Sequence, residues 1–334
     1  MTENPLLNHP GAVPATGPDQ GVAAHYGDPF REQRALEAGE AFTDRSNRGV
    51  LTITGPDRLS WLHSLTSQHL QNLEPGTGAQ ALLLDPNGHV EHHLTLTDDG
   101  TTTWLHVEPG TAAALIEYLN SMRFMLRVEV ADVTADYAVL TVLSAGEALL
   151  AALDGVRVPG GDPRFDTIDL LVKRGTAMPG GTPAGMWAFE ALRIAARVPR
   201  LGLDTDHRTI PHEVGWIGTA VHLNKGCYRG QETVARVHNL GHPPRRLVFL
   251  DIDGSADSLP LHGAPIDHNG VIAGFVGSTG RHYEMGPIGL ALVKRTVPVD
   301  ATLRAGGVAA TQEVIVPPDA GANVKVTLRR RTIG

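Results

Sequence analysis

The break at His242-Pro243-Pro244 constrains the fold of this chain more than any other feature. Beyond it, short apolar runs at 247–252, 265–266, 271–276, 288–293 and 314–316 alternate with Gly, Asp and Pro turns, which predicts a small all-β barrel. Before it, strands and helices alternate. Residues 49–55 read as a strand closed by glycine, and Gly55-Pro56-Asp57 opens a helix carrying Leu59, Leu62 and Leu65 at helical spacing. Asp85-Pro86-Asn87-Gly88 is the strongest hairpin signal, and its return strand places Val90, His92, Leu94 and Leu96 on one face. A helix over 111–122 leads to a strand at 128–130. A second unit follows as strand 137–143, helix 145–153 and strand 168–172, then a helix over 187–196 stopped by Pro199. Such alternation predicts an α+β protein with helices on one face of mixed sheets.

A chain of 334 residues is long for one core, so two or three subdomains are expected. No apolar run approaches the roughly 20 residues that span a bilayer. Residues 1–29 are rich in Pro, Gly and Asn and lack a basic flank before an apolar core, so they read as a flexible tail in a cytoplasmic protein. The formal charge of -8 argues against broad nucleic-acid binding, although Pro243-Pro244-Arg245-Arg246 offers a local anion contact. One cysteine rules out an intrachain disulfide and any four-cysteine cluster site built by one chain.

That cysteine, Cys227, lies in Lys225-Gly226-Cys227-Tyr228-Arg229-Gly230-Gln231-Glu232. Lys225 and Arg229 beside the thiol favour the thiolate, and a helix starting at Gln231 pushes the same way. The glycines let the backbone turn tightly and approach a partner closely. A packed, inert thiol is the competing reading, since free cysteine is often buried as a small hydrophobe. No apolar periodicity runs through the stretch, which favours a working thiol.

The run from Ile210-Pro211-His212-Glu213-Val214-Gly215-Trp216 through Leu223-Asn224-Lys225-Gly226-Cys227 to Gly230-Gln231-Glu232-Thr233-Val234-Ala235-Arg236 resembles the YgfZ family of folate-binding proteins, relatives of the glycine-cleavage T-protein, an aminomethyltransferase. The Lys-Gly-Cys-Tyr-x-Gly-Gln-Glu element carries the resemblance; matches from Phe42 to Arg295 are looser. The resemblance implies a three-subdomain T-protein-like fold, with two α/β subdomains on mixed or antiparallel sheets and a C-terminal small β-barrel around a central folate cavity. The expected division is a first subdomain over 30–135 and 186–241, a second, ferredoxin-like one over 136–185, and a barrel over 242–334. The implied cofactor is tetrahydrofolate or a one-carbon derivative. The implied role is support of iron–sulfur client or assembly proteins, including enzymes that thiolate tRNA.

Departures from the T-protein pattern bear on chemistry. Where the enzyme has paired aspartates on a strand, this chain reads Gly88-His89-Val90-Glu91-His92-His93-Leu94, and where it has a glutamate for the pteridine ring, this chain has Ala195. A carboxylate is needed there to hold developing positive charge, so aminomethyl transfer is the alternative reading and folate-dependent accessory work the main one. His89, Glu91 and His93 share a strand face and invite a metal, but such sites usually draw ligands from separate elements; no metal is expected. For folate, Arg236 is the expected cation, Glu213 a partner for the pterin edge, and His92, Trp216, Tyr228 and Trp61 candidate walls, with helix capping and core packing as the competing readings. Cys227, Lys225 and Arg229 are the expected working residues.

Overall fold

The computed structural model describes residues 4–176 and 178–321. The stretch expected as a tail is folded from residue 4 onward; residues 1–3, and 322–334 at the end of the expected barrel, lie outside the described residues. Strands β1 (Val13–Pro14) and β2 (Ala23–His25) form an antiparallel ribbon, with 3-10 turns at Pro5–Asn8 and Gly17–Asp19. Composition masked the cause: Val22 is fully buried against Met186 and Phe189, and Ala23 and Ala24 are buried beside it. Helix α1 (Pro29–Glu37) then starts on Asp28, whose carboxylate accepts the amides of Phe30 and Arg31 at 3.1 and 3.0 Å.

After β3 (Ala41–Asp44) come β4 (Gly49–Thr54), α2 (Arg58–Leu65), β5 (Gly78–Leu84), β6 (Val90–Asp98), β7 (Thr102–Val107), α3 (Ala112–Ser121) and β8 (Glu129–Asp132). Five of these strands form an antiparallel sheet in the order β5-β6-β7-β4-β8. Trp61 and Leu62 of α2 and Leu115 and Leu119 of α3 pack on Leu51, Ile53, Leu94, Leu96 and Leu105 of one sheet face. The hairpin forms where expected, but the register of β6 shifts between its pairings with Leu83 and Leu84. This bulge separates residues the alternation had put together. His92 shares the face of Leu94 and Leu96, whereas Val90 joins Leu82 and Leu84 in the cluster on the other face.

Strands β9 (Tyr137–Leu143), β10 (Val156–Pro159), β11 (Thr167–Lys173) and β12 (Thr182–Ala184) build a second sheet, ordered β10-β11-β9-β3-β12. It is mixed, since β12 runs parallel to β3 and the other pairs are antiparallel. β3 lies in this sheet although the sequence placed its residues in the first subdomain, and the helix expected at 145–153 is a 3-10 segment, Ser144–Leu150. Helix α4 (Met186–Ala195) buries Ala188 and Leu192 against Leu36 of α1 and Ala41 of β3.

Helix α5 (Gln231–Leu240) precedes a closed barrel of β13 (Arg245–Ile252), β14 (Pro265–His268), β15 (Val271–His282), β16 (Gly286–Lys294), β17 (Leu303–Ala305) and β18 (Val308–Val314), in the order β13-β16-β15-β14-β17-β18. Val248, Leu250, Ala291 and Val293 fill one side of the wall, while Leu247, Phe249, Leu290 and Leu292 pack outward on Trp216, Tyr228 and Val234. Burial on both faces explains why these runs read as continuous rather than alternating. Arg246 is fully buried and donates from Nη2 to the Val297 carbonyl and Gln312, while its Nε and Nη1 have no hydrogen-bond partner among the described residues, and Arg245 is bound to Asp206 and Glu213; the surface anion contact expected at these arginines is absent because one is buried and the other paired.

Candidate functional site

Helix α2 leaves the carbonyls of its last turn without helical partners. The Lys225 ammonium takes them, donating to the carbonyl oxygens of His63 and Thr66, and it lies 4.8 Å from the Tyr228 ring centroid. Charge of this sign suits a helix C-terminus, while burial pushes the Lys225 pKa down to about 8. Arg229 pairs with Glu91 at 3.0 Å and lies 5.2 Å from the Tyr118 ring centroid. Both cations that the sequence set beside the thiol are thus committed to other partners. Cys227 is free and exposed between them, and it does not line the central cavity.

Gly230 caps α5 with φ of 80°, and a Cβ there would meet the Asp85 carbonyl oxygen at 2.5 Å and the Gly88 Cα at 3.0 Å. The hairpin tip therefore docks on the start of α5, and only glycine allows the approach. Gly226, by contrast, has nothing within 4 Å of such a Cβ. Gln231 reaches back to the carbonyls of Lys225 and Gly226 at 3.4 and 3.5 Å, closing the loop.

The expected folate contacts fall elsewhere. Arg236 pairs with Glu232 one turn away, their side chains 65% and 87% exposed, so it is a helix-surface charge. Glu213 is fully buried, accepting the Ile210 amide and two bonds from Arg245, which makes it a cap and an anchor for β13. Trp216 and Tyr228 are core residues, as is Trp61, whose Nε1 donates to the Met122 carbonyl at 3.1 Å. His92 is buried on the helix-covered face, and burial pushes its pKa down to about 4. His89 pairs with Asp85, Glu91 with Arg229 and His93 with Gln80, and no metal-holding group of His, Cys, Asp or Glu occurs among the described residues.

A cavity of about 80 Å³ lies where the two sheets and α4 converge. Gln80, His93 and Thr95 come from the first sheet, Thr167 and Asp169 from the second, and Phe189, Glu190 and Arg193 from α4. Four arginines (Arg45, Arg48, Arg193, Arg200) and four acids (Glu108, Asp162, Asp169, Glu190) line it. Arg48 and Arg200 grip opposite oxygens of Glu108 at 2.7 and 2.9 Å. Arg193 binds Glu190 at 2.7 Å, Asp204 at 2.9 Å and the Ser278 hydroxyl of β15 at 2.6 Å, tying the barrel to the cavity. Burial alone would raise Glu108 and Asp169, but Arg48 and Arg200 around the first, and Arg45 and His106 around the second, hold both well below the usual carboxylate range. His93 lies tilted against the Trp216 ring at 4.8 Å, donates from Nε2 to Gln80 Oε1 at 3.1 Å, and is pushed down to about 4 chiefly by burial, so it is neutral at pH 7.

Two further cavities adjoin: one of about 460 Å³ shares Glu108 and Arg200, and one of about 540 Å³, lined by Phe30, Trp187 and Leu259, shares Glu190. The central lining, missed by sequence reasoning except for His93, left one local signal, the charged Asp44-Arg45-Ser46-Asn47-Arg48 turn between two apolar strands.

Residues 26–155 match the GCVT N-terminal domain. The glycine cleavage system aminomethyltransferase T of Bartonella henselae superposes with a TM-score of 0.77 over 93% of this chain and 95% of that one, at 19% identity. The fold is that of the T-protein. An aminomethyltransferase of a Synechococcus species is 28% identical over 290 residues, 74% of this chain and 77% of that protein. A chloroplastic protein of Arabidopsis thaliana with a provisional transferase name is 27% identical over 316 residues, 83% of this chain and 70% of that one. Together these matches support the T-protein-like superfamily, a broader grouping than the YgfZ branch, which rests on Lys225 to Glu232. Among the described residues no helix is long and apolar enough to cross a membrane.

Proposed function

We propose that the chain binds a reduced folate across its central cavity and the two cavities adjoining it, and acts as a folate-dependent protein of the aminomethyltransferase-like group. The observation that carries this reading is the cavity's donor set. Phe165 and Phe189, edge to face at 5.2 Å, offer aromatic walls for a pterin. Glu190 and Asp162, held by Arg193 and Arg164, keep further lone pairs for its amino-pyrimidine edge, and Arg48 and Arg200 supply positive charge for a carboxylate tail. Bound there, the folate would supply one-carbon chemistry; this chain's residues bind, orient and exclude water. Calorimetric titration with tetrahydrofolate tests the reading: a single site of micromolar or better affinity is expected, and no heat at any accessible concentration sinks it.

A narrower reading places the chain in the YgfZ branch, as a cytoplasmic accessory factor for iron–sulfur client proteins. Two observations favour it over aminomethyl transfer. The strand position of the transferase aspartates presents His93, a neutral imidazole, to the cavity, and Ala195 offers no side-chain polar atom to a pteridine. The exposed Cys227 on an anchored loop is then the working group. Cys227→Ser should leave fold and folate affinity intact and abolish support of an iron–sulfur enzyme in cells; full complementation by this variant refutes the thiol's role.

A further inference from the structure

We propose that the outer edge of the Arg200 guanidinium is a binding site for a ligand carboxylate, and that Asp19 is a tethered carboxylate filling it. The proposal rests on the folate reading above for the identity of that ligand. Asp19 meets Arg200 in a two-pronged bond, Nη2 to Oδ1 at 2.7 Å and Nη1 to Oδ2 at 3.2 Å, the geometry by which arginine recognises free carboxylates. The inner donors of Arg200 belong to the buried network, Nε to Glu108 and Nη1 to Glu190. Those two acids are already paired with Arg48 and Arg193. The remaining edge carries Asp19, itself partly exposed.

The element that brings Asp19 in is a short, exposed turn. This turn, Gly17–Asp19, sits in a six-residue loop, 16–21, closed by the Ala15 amide donating to the Val22 carbonyl at 2.9 Å. Within the loop Thr16, Gly17, Pro18, Gln20 and Gly21 are exposed, and besides Arg200 two side chains tether it, Asn4 to the Gly21 carbonyl at 2.9 Å and Asn47 to the Pro18 carbonyl at 3.4 Å. Pro18 lines one neighbouring cavity and Asp19 the other, while Arg200 lines the central one. A ligand carboxylate must displace Asp19 to reach Arg200, and its apparent affinity is reduced by the fraction of molecules in which the loop has yielded.

The test compares wild type, Asp19→Asn and Asp19→Ala by calorimetry, with melting curves as a folding control. The probes are tetrahydrofolate, p-aminobenzoylglutamate and 6-methyltetrahydropterin, which lacks the carboxylates. Both variants should bind the two carboxylate probes about five- to tenfold more tightly and the pterin within about twofold of wild type. Unchanged or weaker carboxylate binding overturns the proposal, and so does equal tightening of all three probes, which would mark a steric flap with no carboxylate site. If no protein binds a folate or pterin but Asp19→Asn gains p-aminobenzoylglutamate, the folate reading fails and the carboxylate site stands; if nothing binds anywhere, both fail.

Discussion

Arg48 donates its Nε–H to His106 Nδ1 at 2.7 Å, and this leaves His106 to donate from Nε2 to Asp169 at 2.8 Å. The arginine thereby fixes the tautomer: the ring is neutral, and a second proton has no open site. Because His106 is in the first sheet and Asp169 in the second, this relay also bonds the two sheets together beside the cavity.

The relay makes stability depend on pH. Burial, opposed by Asp169, leaves the His106 pKa at about 4 against an ordinary 6.5. Between those values the unfolded chain binds more protons than the folded one, so stability falls as pH drops from 6.5 to 4, by roughly 3 kcal/mol from this group. Urea unfolding at pH 7 and pH 5 should show the loss, and an NMR titration of His106 with a midpoint near 6.5 would contradict it.

Gly230→Ala should destabilise the chain by about 1–3 kcal/mol, through strain at positive φ and collision with the hairpin tip. Gly226→Ala, with open space around it, should stay within about 0.5 kcal/mol of wild type. Comparable losses for the two in denaturant titrations would show that the tip does not dock on α5.

Lys225→Met should cost about 1–3 kcal/mol, because two carbonyls at the end of α2 lose their donor. With a folded pKa of about 8 against 10.5, burial of the charged form costs stability below pH 8, and wild type should gain stability as pH rises from 8 to 10.5. In Lys225→Met that gain disappears, and Cys227 alkylation accelerates as the loop loosens. A flat wild-type profile above pH 8 would count against the cap.

The barrel and the hairpin were legible in the sequence because their signals are local: apolar runs between turns, and Asp-Pro-Asn-Gly at a reversal. The cavity was not. Arg48 meets Glu108 across 60 residues and Arg200 meets Asp19 across 181, and bonds between distant segments leave no period to read. The β6 bulge, which has no composition of its own, hid that Val90 leaves the face of His92, and it is His93 on the opposite face that meets the cavity. Arg236 is expected at the folate only through the family resemblance, and its helix turns it to solvent.

Arg236→Ala should therefore change stability by less than about 0.5 kcal/mol, as an exposed pair allows. Its tetrahydrofolate affinity should match wild type, and a clear loss in the same calorimetric assay would return the folate contact to α5.

Hydrogen–deuterium exchange with and without saturating tetrahydrofolate asks most directly where the ligand sits. The central cavity predicts protection in 44–49, 160–169 and 186–200, the segments that carry most of its lining. Protection confined to 222–240, around Cys227 and Arg236, would contradict it.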